Sequence, residues 1–473
     1  MQETIVDSLK IFRDKIYQFF SSRKDASFEL VDSLSSNTRA GSVVELSLNP
    51  VHRRNYCSIT RVLNEFYPSN TQHAAIHEKL TKILTEQCAQ PQRRDYYLFA
   101  VDCTPNPRKH APTQKDRGFV YAPSVISGNK PITIGHQYSV VTFMPEKENS
   151  DAPPWVVPIS CHRVTTAEKG TAVGMQQLSQ CIKAQPVFKN KLCVSVGDSA
   201  YSNPESILES SKNENQVHIS RLRSNRVLYY PIKKEDSDTK KRGRKKCYGD
   251  AFRLNDSKTH KTSDESAEFE VATKKGKKQL VKISCWNNIV MCGKHDANIA
   301  DCSMRLVRIC VYKESGEPLF KKPLWLSVVG SRRFELSLQD IFDCYRQRFD
   351  IEHFFRFGKN KMLLDKSQTP ELEHERAWWQ ICMIAYVQLY LARTLAKNVA
   401  TPWGKYLKSG TLMSPTKVQK DFGRIIRLIG TPALPPKRRK KAPGRQKGEL
   451  QPKRTRYSIV IKQKTAQPVA VSP

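Results

Sequence analysis

The stretch YRQRFDIEHFFRFGK, residues 345–359, decides how the rest of the chain is read. Its apolar content suits a buried helix, yet it carries a glutamate, a lysine and three arginines. Tyr345, Arg348, Glu352 and Lys359 are spaced 3, 4 and 7 apart. At 3.6 residues per turn they fall within a sector of roughly 60°. Phe349, Ile351, Phe354 and Phe355 take much of the remaining circumference. Such a helix buries its aromatic side and turns a phenol, a guanidinium, a carboxylate and an ammonium toward a cleft. The competing reading is a salt-bridge ladder along the helix, from Arg348 to Glu352.

Working outward, the residues before this helix alternate between two patterns. Residues 1–90 read as helices, with apolar positions recurring at three and four in SLKIFRDKIYQFF and HAAIHEKLTKILTEQC. YYLFAVD (96–102), ITIGHQYSVVTFM (132–144) and WVVPISC (155–161) read as buried strands. AVGMQQLSQCIKA (172–184) has helical period, KLCVSVGD (191–198) is a fourth strand, and VHISRL (217–222) a fifth. Three strands, a helix, a strand, a short helix and a strand predict an α/β fold with a mixed sheet. The charged stretch 233–252 reads as an exposed loop, and the short strands EFEVAT, KQLVKISCW, MRLVRICVY and PLWLSVVG as a β-rich insertion. Ser337 and Asp340 are start signals for the helix that carries the opening stretch. HERAWWQICMIAYVQLYLARTLA (374–396) is apolar enough to require burial. The expected divisions are a helical N-terminal region (1–90), a first part of the sheet domain (91–222), the β-rich insertion (223–335), a second part (336–430) and a basic tail (431–473) expected to stay disordered until it meets a partner.

Composition names the partner. The chain has 473 residues, with 79 Lys+Arg against 45 Asp+Glu, a formal net charge of +34. That excess points to a polyanion, nucleic acid first. No apolar run is long enough to span a bilayer, and the acids Glu3, Asp7 and Asp14 argue against an N-terminal signal segment. Thirteen cysteines without a CxxC pair suit reduced thiols in the cytoplasm. Cys285, Cys292, His295 and Cys302 have no common zinc spacing and read better as buried thiols and loop residues.

The pattern Y-x2-R-x3-E-x6-K, with its surrounding residues, resembles a class of bacterial insertion-sequence transposases whose catalytic domain is an RNase H-like DDE fold. The resemblance covers roughly residues 95–400. It asks for two upstream carboxylates, each following a buried strand, and Asp102 and Asp198 stand at such places. The resemblance implies that Asp102, Asp198 and Glu352 are the catalytic and metal-binding acids, holding two Mg²⁺ ions that Mn²⁺ can replace. Hard carboxylate oxygens suit that ion, and two such ions would activate water and stabilise the leaving oxygen of a phosphodiester. It further implies that Tyr345, Arg348 and Lys359 contact DNA. Trp325, twenty residues before Tyr345, matches a tryptophan that receives a flipped base when a DNA hairpin forms; a core position in a strand is its competing reading. Arg242, Arg244, Lys245 and Lys246 are expected on DNA backbone. His136, in the family-like Gly135-His136-Gln137, reads as a substrate contact or as a satisfied core histidine, the latter favoured. The implied activity is cut-and-paste transposition on double-stranded DNA by a homodimer. A decayed DNA-binding protein and an RNase H-like nuclease that does not transpose are the alternatives.

Overall fold

The computed structural model describes residues 2–461 apart from residues 68–72, 123–129, 150–151, 233–246, 274–275, 294–298, 300–301, 400–401, 404–410, 438–447, 449 and 451–452. The chain opens with five helices, α1 (Gln2–Phe19), α2 (Lys24–Ser35), α3 (Val43–Leu46), α4 (Cys57–Phe66) and α5 (His73–Thr85). Strands β1 (Tyr96–Pro107), β2 (Gly118–Tyr121), β3 (Ile132–Phe143) and β4 (Val157–Val164) follow. Helix α6 (Gly170–Ala184) leads to β5 (Leu192–Gly197), α7 (Pro204–Ser211) and β6 (Gln216–Leu222). β7 (Val227–Tyr229), β8 (Ala251–Arg253), β9 (Glu265–Ala272), β10 (Lys278–Ile289), β11 (Met304–Lys313) and β12 (Leu324–Val329) come next. Four helices complete the description: α8 (Leu338–Gln347), α9 (Phe349–Lys361), α10 (Leu372–Leu391) and α11 (Pro415–Ile429).

The central sheet runs β2-β3-β1-β5-β6-β12-β11-β10-β9, with β4 also paired to β3. β1, β3 and β4 form an antiparallel group, and β5 and β6 lie parallel to β1. This large mixed sheet with flanking helices is consistent with an RNase H-like fold. The β-rich segment is not a separate body. β12 pairs antiparallel with β6, so β12, β11, β10 and β9 extend the same sheet. Leu222, the last residue of β6, lies opposite Trp325, which gives the edge of the sheet a hydrogen-bonding partner.

β1 extends five residues past Asp102 to Pro107. Prolines at 105 and 107 argue against a strand interior, because each lacks a donor. They are tolerated because pairing with β5 stops at Ala100↔Val196, while pairing with β3 continues to Pro107↔Gly135. Beyond Ala100, β1 is therefore an edge on one side, where no N–H is demanded.

The N-terminal helices share the sheet's core. Leu9, Phe12, Phe28 and Leu34 belong to one continuous cluster with Val140, Trp378 and Trp379. Arg13 bonds Asp32 at 2.5 Å and Gln388 at 2.8 Å, tying α1, α2 and the largely buried α10 together. The expected N-terminal region is helical, but its core continues into that of the sheet. Part of the basic tail is among the described residues. The Tyr457 N–H donates to Pro112 O and the Val460 N–H to Arg117 O, so residues 453–461 lie extended along the chain between β1 and β2.

Candidate active site

β1 and β5 carry the first two acids. Because Ala100 pairs with Val196 in parallel, Asp102 and Asp198 each stand two residues beyond the same rung and emerge side by side. Asp102 accepts from the Cys103 N–H at 2.8 Å. Asp198 accepts from the Ala200 N–H at 2.8 Å and shapes the turn before α7. Gly197 makes that turn possible: a Cβ there would lie 2.8 Å from Tyr201 Cβ, inside any real contact.

The third acid comes from the helical stretch that carries the polar column. The capping box between Ser337 and Asp340 starts α8 as the sequence suggests. The stretch is divided into α8 and α9 at Arg348, whose φ of −47° and ψ of −36° remain helical. The column therefore survives the division. Tyr345 is buried, and burial raises its phenol while Arg348 and Arg221 draw it down. Arg348 is buried and donates to Glu352 at 2.9 Å, so the ion pair of the competing reading exists. Glu352 itself is exposed. Lys359 reaches β1, donating to Thr104 Oγ1 at 2.8 Å and Pro105 O at 2.9 Å; burial lowers its ammonium pKa.

The electrostatics show which groups meet. Burial first, then the charge of Asp198 and more weakly that of Glu352, push the Asp102 carboxyl up to about 7. The Cys103 N–H and the Arg348 guanidinium oppose this without cancelling it. Two strand acids and one helix acid thus share a field with an excess of negative charge. They do not close into a ligand cage, since among the described residues no group of three or more His, Cys, Asp and Glu stands close enough to hold an ion. Glu352 is turned to Arg348 instead, as like-charged carboxylates favour. The donor set nevertheless fits a hard divalent cation: all three groups are carboxylates, the oxygen ligands such an ion prefers.

Other expected residues are placed differently. Trp325, on β12, is 1% exposed and packed against Phe252, His260 and Trp286, with ring centroids 5.5–5.9 Å away. Its indole has no face open to a base in this conformation; β7 and β8, which carry Leu228 and Phe252, cover it. Arg242, Arg244, Lys245 and Lys246 lie outside the described residues, as does His295. His136 is a satisfied core histidine. Its Nδ1 faces Glu375 Oε1 and its Nε2 faces Lys115 O, both at 2.9 Å.

Two features escaped the sequence. Gly197 pairs with Ser220, so Arg221 emerges from β6 beside Asp198; a strand ending in an exposed arginine next to an acid-bearing strand was the available signal. Glu375 on α10 is wholly buried and accepts from Arg108, His136, Tyr138 and Gln114 at 2.6–3.1 Å. Burial alone would raise it, but His136 and Arg108 hold its carboxyl well below the usual range.

Residues 15–282 match the family described as DDE superfamily endonuclease, more than half of the chain, and the chain belongs to that family. The matched span contains Asp102 and Asp198 and ends before Glu352. No curated protein matches the chain. Family membership makes this a nuclease-type enzyme with DNA as its substrate. Among the described residues no helix is long and apolar enough to cross a membrane.

Proposed function

We propose that the chain is a DDE transposase, cutting DNA at element ends and joining the freed 3′ ends to target DNA. The observation that supports this is that Asp102 and Asp198 leave adjacent parallel strands two residues beyond the same rung, while α9, which carries Glu352, is bonded to β1 through Lys359. Asp102, Asp198 and Glu352 would hold Mg²⁺ or Mn²⁺. Bound there, the divalent ions supply Lewis acidity toward phosphate oxygens and lower the pKa of water.

The chain's own groups orient the substrate. Arg348, held between the Tyr345 and Phe349 rings, is placed to meet a phosphate as Glu352 turns from it toward the acids. Its guanidinium can grip with two donors, whereas Lys359 acts as a point charge. Arg221 adds a third cation beside Asp198. The Asp102 carboxyl, raised first by burial and then by Asp198, would be held ionised by a bound cation. Pairing two element ends calls for two copies of the chain, so a homodimer on DNA is part of the proposal. The domain assignments within it are DNA-end recognition by residues 1–90 and DNA contact by the basic loop 242–246.

Excision of a marker flanked by the gene's own borders, compared between wild type and Glu352→Gln in Mg²⁺, tests the reading. Excision by wild type alone is expected. Absence in both with DNA binding retained means a non-catalytic binding protein. Nicking without joining means a nuclease that does not transpose.

A further inference from the structure

The ribbon of β2 and the start of β3 projects past the point where β1 ends, since residues 132–134 of β3 pair with β2 and not with β1. Opposed residues of an antiparallel pair share a face, and so do residues two apart. Phe119 lies opposite Ile134 and Tyr121 opposite Ile132. These four therefore share one face. That face is continuous along β3 with His136, Tyr138 and Val140, and across to β1 with Asn106, Thr104 and Asp102. Near Asp102 it is covered by α9 and α10, through Lys359 on Thr104 and Glu375 on His136. Farther out the cover stops. Phe119 is 56% exposed, Tyr121 63% and Ile132 52%.

An uncovered aromatic face on an edge ribbon is costly and prone to self-association unless it has a partner. Its surroundings specify one. Lys109, His110, Lys115 and Lys130 are exposed around it. The single acid of the loop, Asp116, is engaged by Arg163 and Thr166. The docked tail adds exposed Lys453, Arg454 and Arg456, and Tyr457 lies under the Lys115 ammonium at 5.4 Å. Aromatic faces inside a cationic rim match bases attached to phosphates. Side chains two residues apart on a strand stand about 6.7 Å apart, roughly twice the 3.4 Å rise between stacked bases. One base thus fits between the Phe119 and Tyr121 rings.

We infer that this ribbon is a second DNA contact, which stacks on unpaired bases along the sheet face that carries Asp102, about 20–27 Å from that acid. The inference rests on the nuclease reading above and adds a subsite to it. Phe119 and Tyr121 hold the bases, while the lysines and the tail hold the flanking phosphates.

The test compares binding of a blunt duplex with that of the same duplex interrupted by an unpaired thymine tract, without divalent metal. The variant Phe119→Ser/Tyr121→Ser is expected to lose about tenfold or more in affinity for the interrupted duplex, with the blunt duplex changed less than about twofold because the cationic rim is intact. Tyr121→Phe is expected to keep the preference. A 5-iodouracil in the tract is expected to crosslink to the peptide holding Phe119 and Tyr121. Equal losses on both DNAs, no loss on either, or a crosslink elsewhere would overturn the inference. So would a wild-type dimer that the double variant converts to monomer, which would make the face a contact between copies. Plasmid cleavage by wild type but not by Glu352→Gln, alongside any of these, leaves the nuclease reading standing; no DNA binding and no cleavage by wild type removes both.

Discussion

Two groups of acids lie on the same side of the central sheet, and they are treated in opposite ways. Glu375 is wholly buried, yet Arg108, His136, Tyr138 and Gln114 satisfy both of its oxygens and hold its carboxyl low. Asp102 is less buried, yet its neighbours include two further acids, and its carboxyl is raised to about 7. Burial acts in the same direction on both. At Glu375 the donors outweigh burial; at Asp102 the Cys103 N–H and Arg348 do not, and the charge of Asp198 adds to it. The compensated acid fixes α10 to β3 and the end of β1; the raised one is, on the proposed assignment, a ligand for a cation.

Five measurements sharpen or break this contrast. Glu352→Gln is expected to lower cleavage at least about a thousandfold, on the order of 4 kcal/mol of barrier, while thermal stability shifts by less than about 0.5 kcal/mol. Glu375→Gln is expected to do the reverse: it leaves Arg108 and His136 buried without a counter-charge and costs about 3–5 kcal/mol in denaturant unfolding. Normal stability with cleavage abolished in Glu375→Gln would erase the distinction between the two groups.

Asp102→Asn is expected to stabilise the metal-free protein at pH 8, on the order of 1–2 kcal/mol, because a crowded negative charge is removed. Added Mg²⁺ is expected to raise the melting temperature of wild type, by about 2.7 kcal/mol of stability at a hundredfold excess over its dissociation constant. It should leave Asp102→Asn nearly unmoved. A variant that melts lower at pH 8, or responds fully to Mg²⁺, would show that Asp102 is not the raised member.

The two acids also predict different pH windows. For Asp102 the folded value lies above the unfolded one. Its contribution is therefore fully present below about 4 and lost as pH rises through about 7. For Glu375 the folded value lies below, so its contribution is present above about 4.3 and lost as pH falls from there. Stability–pH curves of the two variants against wild type should diverge at opposite ends. The smallest expected effect belongs to Lys359→Met, which forfeits the bonds to Thr104 and Pro105: about 1 kcal/mol in stability, with a modest loss of DNA affinity.

Much of the contrast was legible in the sequence on one side only. Glu352 shares a helical sector with Tyr345 and Arg348, which periodicity shows; Asp102 and Asp198 follow runs of buried residues, but only the family resemblance singled them out from other acids after strands. The Glu375 group was hidden because its partners lie more than two hundred residues away on other elements. Periodicity marked HERAWWQICMIAYVQLYLARTLA as buried without saying what its glutamate would meet. Pro105 and Pro107 disguised the end of β1, since only the departure of β5 makes them tolerable. β9–β12 read as an insertion because strand period gives no pairing partner; that β12 joins β6 is a property of the assembled sheet. Trp325 fitted two readings at once, and the rings of Phe252, His260 and Trp286 around it favour the core.

The extension of one sheet through β6 and β12 has a bearing on how the chain is made. Asp102 and Asp198 lie early, while Glu352 follows only after the strands that widen the sheet. A nascent chain emerges from the ribosome N-terminus first. On the proposed assignment, a chain released before residue 352 carries two acids on their strands and lacks the third. Premature termination there would also remove α10, around which α1, α2 and the sheet pack, so the genome that encodes this protein would be exposed to its chemistry only by molecules synthesised past both the third acid and the helix that completes the core.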